Sequence, residues 1–273
     1  METSGPIIEL GEWLETPAGR VLLAWEQARI DRAVADVFGY HALQFGLPQV
    51  EGLRANRMPH RWLASDRPDA PPRAPIAPAC DPAIGTAPLK SAVALHCDAE
   101  ALPFPSDSLD LVVLPHTLEL AQDPHLALSE AARVLTPGGR VVVTGFNPAS
   151  LWALRQRLGR TARGLGMGGG RLFLPEGGEA IGYWRLRDWL HLLSFDIEIG
   201  RFGCWRPPWN SAKWLDRFGW MEPFGERWLP VLGAVYVLVA VRRVRGMRLV
   251  GRVKRARMST ASAPAVASHR RRP

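Results

Sequence analysis

The sequence predicts an α/β fold in three layers, with helices on both faces of a mostly parallel sheet. Three observations carry this. Leu109, Leu111, Val112, Val113 and Leu114 form a short, almost unbroken apolar run, which suits a strand buried on both faces. Leu126, Leu128, Ala131, Ala132 and Leu135 then recur at helical spacing, behind an Asp123-Pro124 helix start. Thr136-Pro137-Gly138-Gly139 stops that helix, and Val141, Val142 and Val143 make the next strand. Strand, helix and strand form one βαβ unit, whose crossover is expected to be right-handed.

The same stretch carries a resemblance. D-A-E-A-L-P-F at 98–104, L-D-L-V-V at 109–113 and E-A-A-R-V-L-T-P-G-G-R-V-V-V at 130–143 resemble the class I S-adenosylmethionine (SAM) methyltransferases. The match is nearest to the type 11 group, which includes quinone-biosynthesis C-methyltransferases. It covers about fifty residues, and its weight lies in order and spacing rather than in any one piece. It implies a Rossmann-like sandwich with a seven-stranded sheet, an antiparallel edge strand, and SAM as cofactor.

The remaining elements follow in order. Residues 17–38 read as a helix with Pro17 in its first turn and an apolar stripe of Val21, Trp25, Ala28, Val34 and Val37. Residues 40–48 hold the first strand, ending at Gly46-Leu47-Pro48. The family has a G-x-G-x-G turn here, which lets the backbone approach the cofactor with no Cβ in the way. Only Gly46 of that turn is present. Residues 50–56 read as a short helix and 59–65 as the second strand.

Asp66 falls where a ribose-binding carboxylate is expected, about 20 residues past the glycine turn; Asp66-Arg67-Pro68 is also good turn chemistry. Seven prolines between residues 67 and 90 argue against a regular helix there. Residues 91–97 read as the third strand. By resemblance, Asp98 then accepts from the adenine amino group and the Ala99 amide reaches a ring nitrogen; otherwise Asp98 caps the turn.

After the fourth strand comes Leu114-Pro115-His116-Thr117-Leu118-Glu119. His116 is the candidate general base, with a hydrogen-bonded structural histidine as the alternative. His116, Glu119 and His125 also have a loose metal-site spacing, although H-x-x-E is a common accident. There is no [D/N]-P-P-[Y/F/W], which argues against nucleic-acid and glutamine N-methylation. Asn147 is placed to bind a substrate or to cap a helix starting at Pro148, and residues 151–158 read as an amphipathic helix.

Gly164-Leu165-Gly166-Met167-Gly168-Gly169 matches G-x-G-x-x-G. It follows an arginine-rich helix rather than a strand, so it is read as part of a flap over 159–182, not as a dinucleotide fingerprint. A helix over 185–193 and strands over 195–202 and 231–241 complete the pattern. Trp205, Trp209, Trp214, Trp220 and Trp228 lie between those strands, as an apolar cap for a flat or greasy substrate or as packing for the insert.

The formal net charge of +8 is concentrated at one end. Residues 242–273 hold eleven Arg or Lys and no Asp or Glu, a composition expected of a disordered tail. The body, residues 1–241, has a slight acidic excess. Cys80, Cys97 and Cys204 form no C-x-x-C, which fits a reducing, cytoplasmic setting. Neither a signal pattern nor an apolar run of membrane-spanning length, ~20 residues, is present.

The expected activity is methyl transfer from SAM to a small or lipid-like acceptor. The rival expectation is a methyltransferase-like scaffold that binds a partner or metabolite without chemistry.

Overall fold

The computed structural model describes residues 6–66, 94–165, 172–175 and 178–243. Its centre is strand β4 (Leu109–Pro115), whose side chains divide between two cores. Leu111 and Val113 join one apolar cluster, while Val112 and Leu114 join the other. Strand β1 (His41–Phe45) does the same with Ala42 and Leu43. Successive side chains of a strand point to opposite faces, so a sheet buried on both faces needs a helical layer on each. The apolar run around Val112 therefore already specified three layers.

Strands β2 (His60–Ser65), β3 (Leu95–His96), β5 (Leu135–Phe146), β6 (Phe195–Gly203) and β7 (Val235–Arg242) complete a seven-stranded sheet in the order β3-β2-β1-β4-β5-β7-β6. The pairings from β3 through β5 are parallel. Strand β7 runs antiparallel to both β5 and β6, so the antiparallel edge is a β7–β6 pair, with β7 one place in from the margin. Its full burial pattern explains the long apolar run before residue 242: Val235, Val237 and Val239 face one core, Tyr236, Leu238 and Ala240 the other.

Helices α1 (Pro6–Leu14), α2 (Pro17–Val34) and α5 (Leu151–Gly164) contribute to the first core, α3 (Thr117–Leu120), α4 (Pro124–Val134) and α6 (Tyr183–Leu192) to the second. Helix α2 begins as expected, with Thr16 accepting from the Gly19 amide and Pro17 in the first turn. Its buried face is turned from the expected stripe. Ala18, Leu22, Glu26, Ile30 and Val34, each four apart, are buried, while Ala28 is exposed. The expected stripe followed the bulky residues and passed over a carboxylate in the inward row.

Residues 50–56 form turns rather than the expected helix. They are tied down by side chains instead. Gln44, in the middle of β1, donates to the carbonyls of Leu47 and Val50 and accepts from Gly52 N–H. Gln27 of α2 exchanges two hydrogen bonds with the Glu51 backbone, and Asn56 donates to Val34 and Val37 carbonyls. The proline-rich stretch 67–90, part of the expected flap and the tail beyond residue 243 lie outside the described residues.

Candidate active site

Parallel register brings the strand ends to one edge. Phe45 pairs with Ala64, Ser65 with His96, and Pro115 with Thr144. Gly46 then donates to the Ala64 carbonyl, and Cys97 to the Ser65 carbonyl. Gly46, Asp66 and Asp98 consequently stand one after another along the carboxyl edge of β1, β2 and β3, where ligands of open α/β sheets bind. Both carboxylates are exposed, and both act on Cys97. Burial pushes that thiol up to about 11, and the charges of Asp98 and then Asp66 push in the same direction.

Gly46 has φ of +79°, and a Cβ built on it meets Thr117 Oγ1 at 3.4 Å. It supplies the left-handed turn that a Cβ-bearing residue resists. Leu47 turns away, fully buried in the first core. The one glycine that remains is thus the one that bends the chain, and the bulky residue after it does not project into the crevice. A cradle of this kind, with two carboxylates able to accept from hydroxyl and amino groups, fits an adenosyl group.

The 98–104 loop is held from α4. Asp123 N–H donates to Glu100 (2.5 Å) and Leu102 N–H to Glu130 (3.2 Å). Arg133 donates to the Leu102 and Phe104 carbonyls, at 2.9 Å each, while paired with Glu130. The E-A-A-R segment therefore positions the D-A-E-A-L-P-F segment. That contact gives a physical reason for the two to occur together.

Of the two readings of His116, general base or hydrogen-bonded structural histidine, its surroundings have the geometry of the second. It has no exposure and sits at φ +52°, ψ 11°, an uncommon conformation for a non-glycine residue. Nδ1 lies 2.8 Å from Glu119 Oε2 and Nε2 2.9 Å from Glu26 Oε1. Burial alone would push the imidazole down. The charge of Glu26, the hydrogen bonds to Glu119 and Glu26 and the charge of Glu119 outweigh that and carry it up to about 10. The ring is accordingly an imidazolium that donates from both nitrogens. In this arrangement it has no free nitrogen with which to take an acceptor's proton.

Glu119 also accepts from Phe146 N–H at 2.6 Å. Burial holds its carboxyl above the usual range, against the pull of His116 and of that amide. The cluster joins α2, the β4 end and the β5 end. Glu26 is the member that sequence reasoning missed. Its signal was present: a lone carboxylate in an otherwise apolar i, i+4 series.

Asn147 is also structural, donating to the Val231 and Gly233 carbonyls and accepting from Ala149 N–H. His125 lies against Trp189, with ring centroids 3.7 Å apart and planes tilted by 42°, and does not join His116. Among the described residues no cluster suited to a metal is formed.

Beside this cluster lies a cleft of about 280 Å³. Its walls include Glu119 and Phe146 from the strand ends, Leu10 from α1, Gln156 and Arg157 from α5, and Glu179. It abuts the β4 and β5 ends, next along the sheet edge from Gly46.

Known proteins resemble parts of this chain in sequence and its described part in fold. Residues 79–143 match the methyltransferase domain of the type 11 family. The uncharacterized protein YafS of Escherichia coli is 33% identical over 154 residues, 55% of each chain. A ubiquinone/menaquinone biosynthesis C-methyltransferase of Nitrosospira multiformis is 44% identical over 63 residues, 23% of this chain and 25% of its own. The chain thus spans little more than half of the first relative and a quarter of the second.

Among solved structures, a Haloferax volcanii methyltransferase in complex with the Trm112 activator superposes with a TM-score of 0.54 at 16% identity, over 89% of this chain and 100% of its own. A SAM-dependent methyltransferase of Thermotoga maritima gives 0.51 at 14%, over 82% and 92%. At such identities the likeness is one of fold. The domain match and the structural likeness point the same way: residues 79–143 are similar to the type 11 methyltransferase domain, and the described chain shares the fold of these SAM-dependent methyltransferase structures.

Proposed function

We propose that the chain is a SAM-dependent methyltransferase acting on a small or lipid-like acceptor in a reducing, cytoplasmic setting. The observation that carries this is the alignment of Gly46, Asp66 and Asp98 along three consecutive strand ends, with Leu47 turned into the core. Asp66 would hold the ribose hydroxyls, Asp98 and the Ala99 amide the adenine, and Gly46 the amino-acid portion. The bound cofactor supplies a methyl group made electrophilic by its sulfonium. The protein's work is then mainly positional: it holds an acceptor in line with the S–CH₃ bond, and such ordering can supply several kcal/mol of a barrier, up to about 7–11 in favourable cases.

The cleft beside Glu119 and Phe146 is the acceptor site in this reading. His116 serves it indirectly, by fixing the Glu119 carboxylate and through it the Phe146 amide. The cleft mixes apolar wall (Leu10, Leu120, Phe146, Leu174) with Arg157 and Arg160, which favours an acceptor with an apolar body and a polar or anionic group.

Calorimetric titration with SAM and S-adenosylhomocysteine tests the cofactor reading. Saturable binding is expected, weakened about tenfold or more by Asp98→Ala, the loss typical of a hydrogen bond to a charged group. A folded chain that binds neither ligand at millimolar concentration would instead support the scaffold reading. Transfer of label from methyl-labelled SAM to cell-extract fractions would then identify the acceptor.

A further inference from the structure

Helix α5 carries two faces. Trp152, Ala153 and Gln156 are buried, whereas Leu151, Leu154 and Leu158 form an exposed stripe, with Leu158 61% accessible. Arg155 and Arg157 flank that stripe on either side by helical geometry, and the helix contains no Asp or Glu. Next to it stands the insert between β6 and β7. Trp152 Nε1 donates to the Arg206 carbonyl and Arg155 to the Pro208 carbonyl, so the two surfaces adjoin.

The insert holds helices α7 (Ala212–Arg217) and α8 (Met221–Trp228). Trp209, Trp214, Trp220, Phe224, Trp228, Leu229, Val231 and Leu232 are all exposed, from 39% at Val231 to 66% at Trp228. Trp220, Phe224 and Trp228 recur every four residues along one side of α8. No hydrogen bond engages the indole N–H of Trp209, Trp214, Trp220 or Trp228 among the described residues. By contrast, Trp13, Trp152 and Trp205 each donate to a backbone carbonyl.

An apolar surface of this extent marks an interaction site. Its chemistry selects the partner. Tryptophans with free N–H groups place an apolar body and a polar tip at a water–hydrocarbon boundary. A helix with leucines on one side and arginines flanking them lies in that boundary, stems buried and guanidinium groups at the headgroups. Two of the insert's three carboxylates already face arginines, Glu222 against Arg206 and Glu226 against Arg29. Lys213, Arg217 and Arg227 remain for an anionic surface, and beyond Arg242 and Arg243, which pair with Asp107 and Asp196, residues 244–273 add nine cations with no acid. No helix among the described residues is long and apolar enough to cross a membrane, so attachment would be to the surface.

We propose that α5 and the tryptophan-bearing insert together form a docking face for an anionic lipid membrane. Docking does not depend on methyl transfer.

Sedimentation of the full chain with lipid vesicles tests this. Binding is expected to phosphatidylcholine vesicles containing about 30% phosphatidylglycerol, with weaker binding to phosphatidylcholine alone and in high salt. Tryptophan emission should shift to shorter wavelength. Leu154→Ser with Leu158→Ser, and separately Trp220→Ser with Trp228→Ser, should each weaken partition about tenfold while leaving the melting temperature and SAM affinity unchanged. Absence of vesicle binding by the folded native chain overturns the proposal. So does undiminished binding by both variants, which would assign the attraction to the terminal cations alone. A change in solution mass in the variants, with no change in vesicle binding, would mark the face as a contact between copies and also overturn it.

Discussion

At the scale of single residues, His116 repays attention because its environment reverses the usual behaviour of a buried histidine. Two carboxylates on opposite sides of the ring stabilise the imidazolium more than burial opposes it. The folded value lies above the ordinary one, so the stabilisation is complete below about pH 6.5 and is lost as pH rises toward about 10. Glu119, raised by burial, adds a loss of the same sign at lower pH. Denaturant midpoints should therefore fall between about pH 7 and pH 9.5, and a flat or rising profile would contradict the cluster as described. His116→Gln should cost about 3–5 kcal/mol, because it strands buried carboxylates, and should flatten the profile over that range.

Gly46 makes a second residue-scale prediction. Gly46→Ala forces a Cβ into φ +79°, costing about 1–2 kcal/mol of stability. Under the proposed function it should also weaken SAM binding, measured by the same calorimetry.

Among the elements, the 98–104 loop and α4 behave as one unit. Arg133 holds two carbonyls of the loop and Glu130 a third group, the Leu102 amide. Arg133→Ala, about 35 positions along the sequence from Asp98 and outside the crevice, should loosen the loop and weaken SAM binding about tenfold, with little change in fold. Faster amide exchange at Leu102 would accompany it. Unaltered affinity would mean that the loop keeps its shape without the clamp. The turn segment 47–56 follows the same logic with different means. The sequence read a short helix over residues 50–56, and turns stand there instead, because the order of the segment comes from Gln44, Gln27 and Asn56, polar side chains whose targets are backbone groups. Periodicity records which residues are buried, not where an amide side chain reaches.

For the whole molecule, the boundary between sequence and structure is a physical one. Alternation and helical spacing report local burial, and so residues 109–114, 124–135 and 141–143 displayed a βαβ unit, three layers and a mostly parallel sheet without coordinates. The order of motifs from Asp98 to Val143 carried the resemblance to the type 11 methyltransferase domain. The stretch of tryptophans before the last strand was visible too, but whether they faced inward or outward was not. Only tertiary structure decided that four of them are exposed beside the arginine-flanked leucines of α5. Only it brought Glu26 to His116 across 90 positions and turned Leu47 into the first core. Those outcomes depend on how helices seat on a sheet and how strands register. Burial of apolar faces selects that arrangement collectively, and no short stretch of sequence contains it.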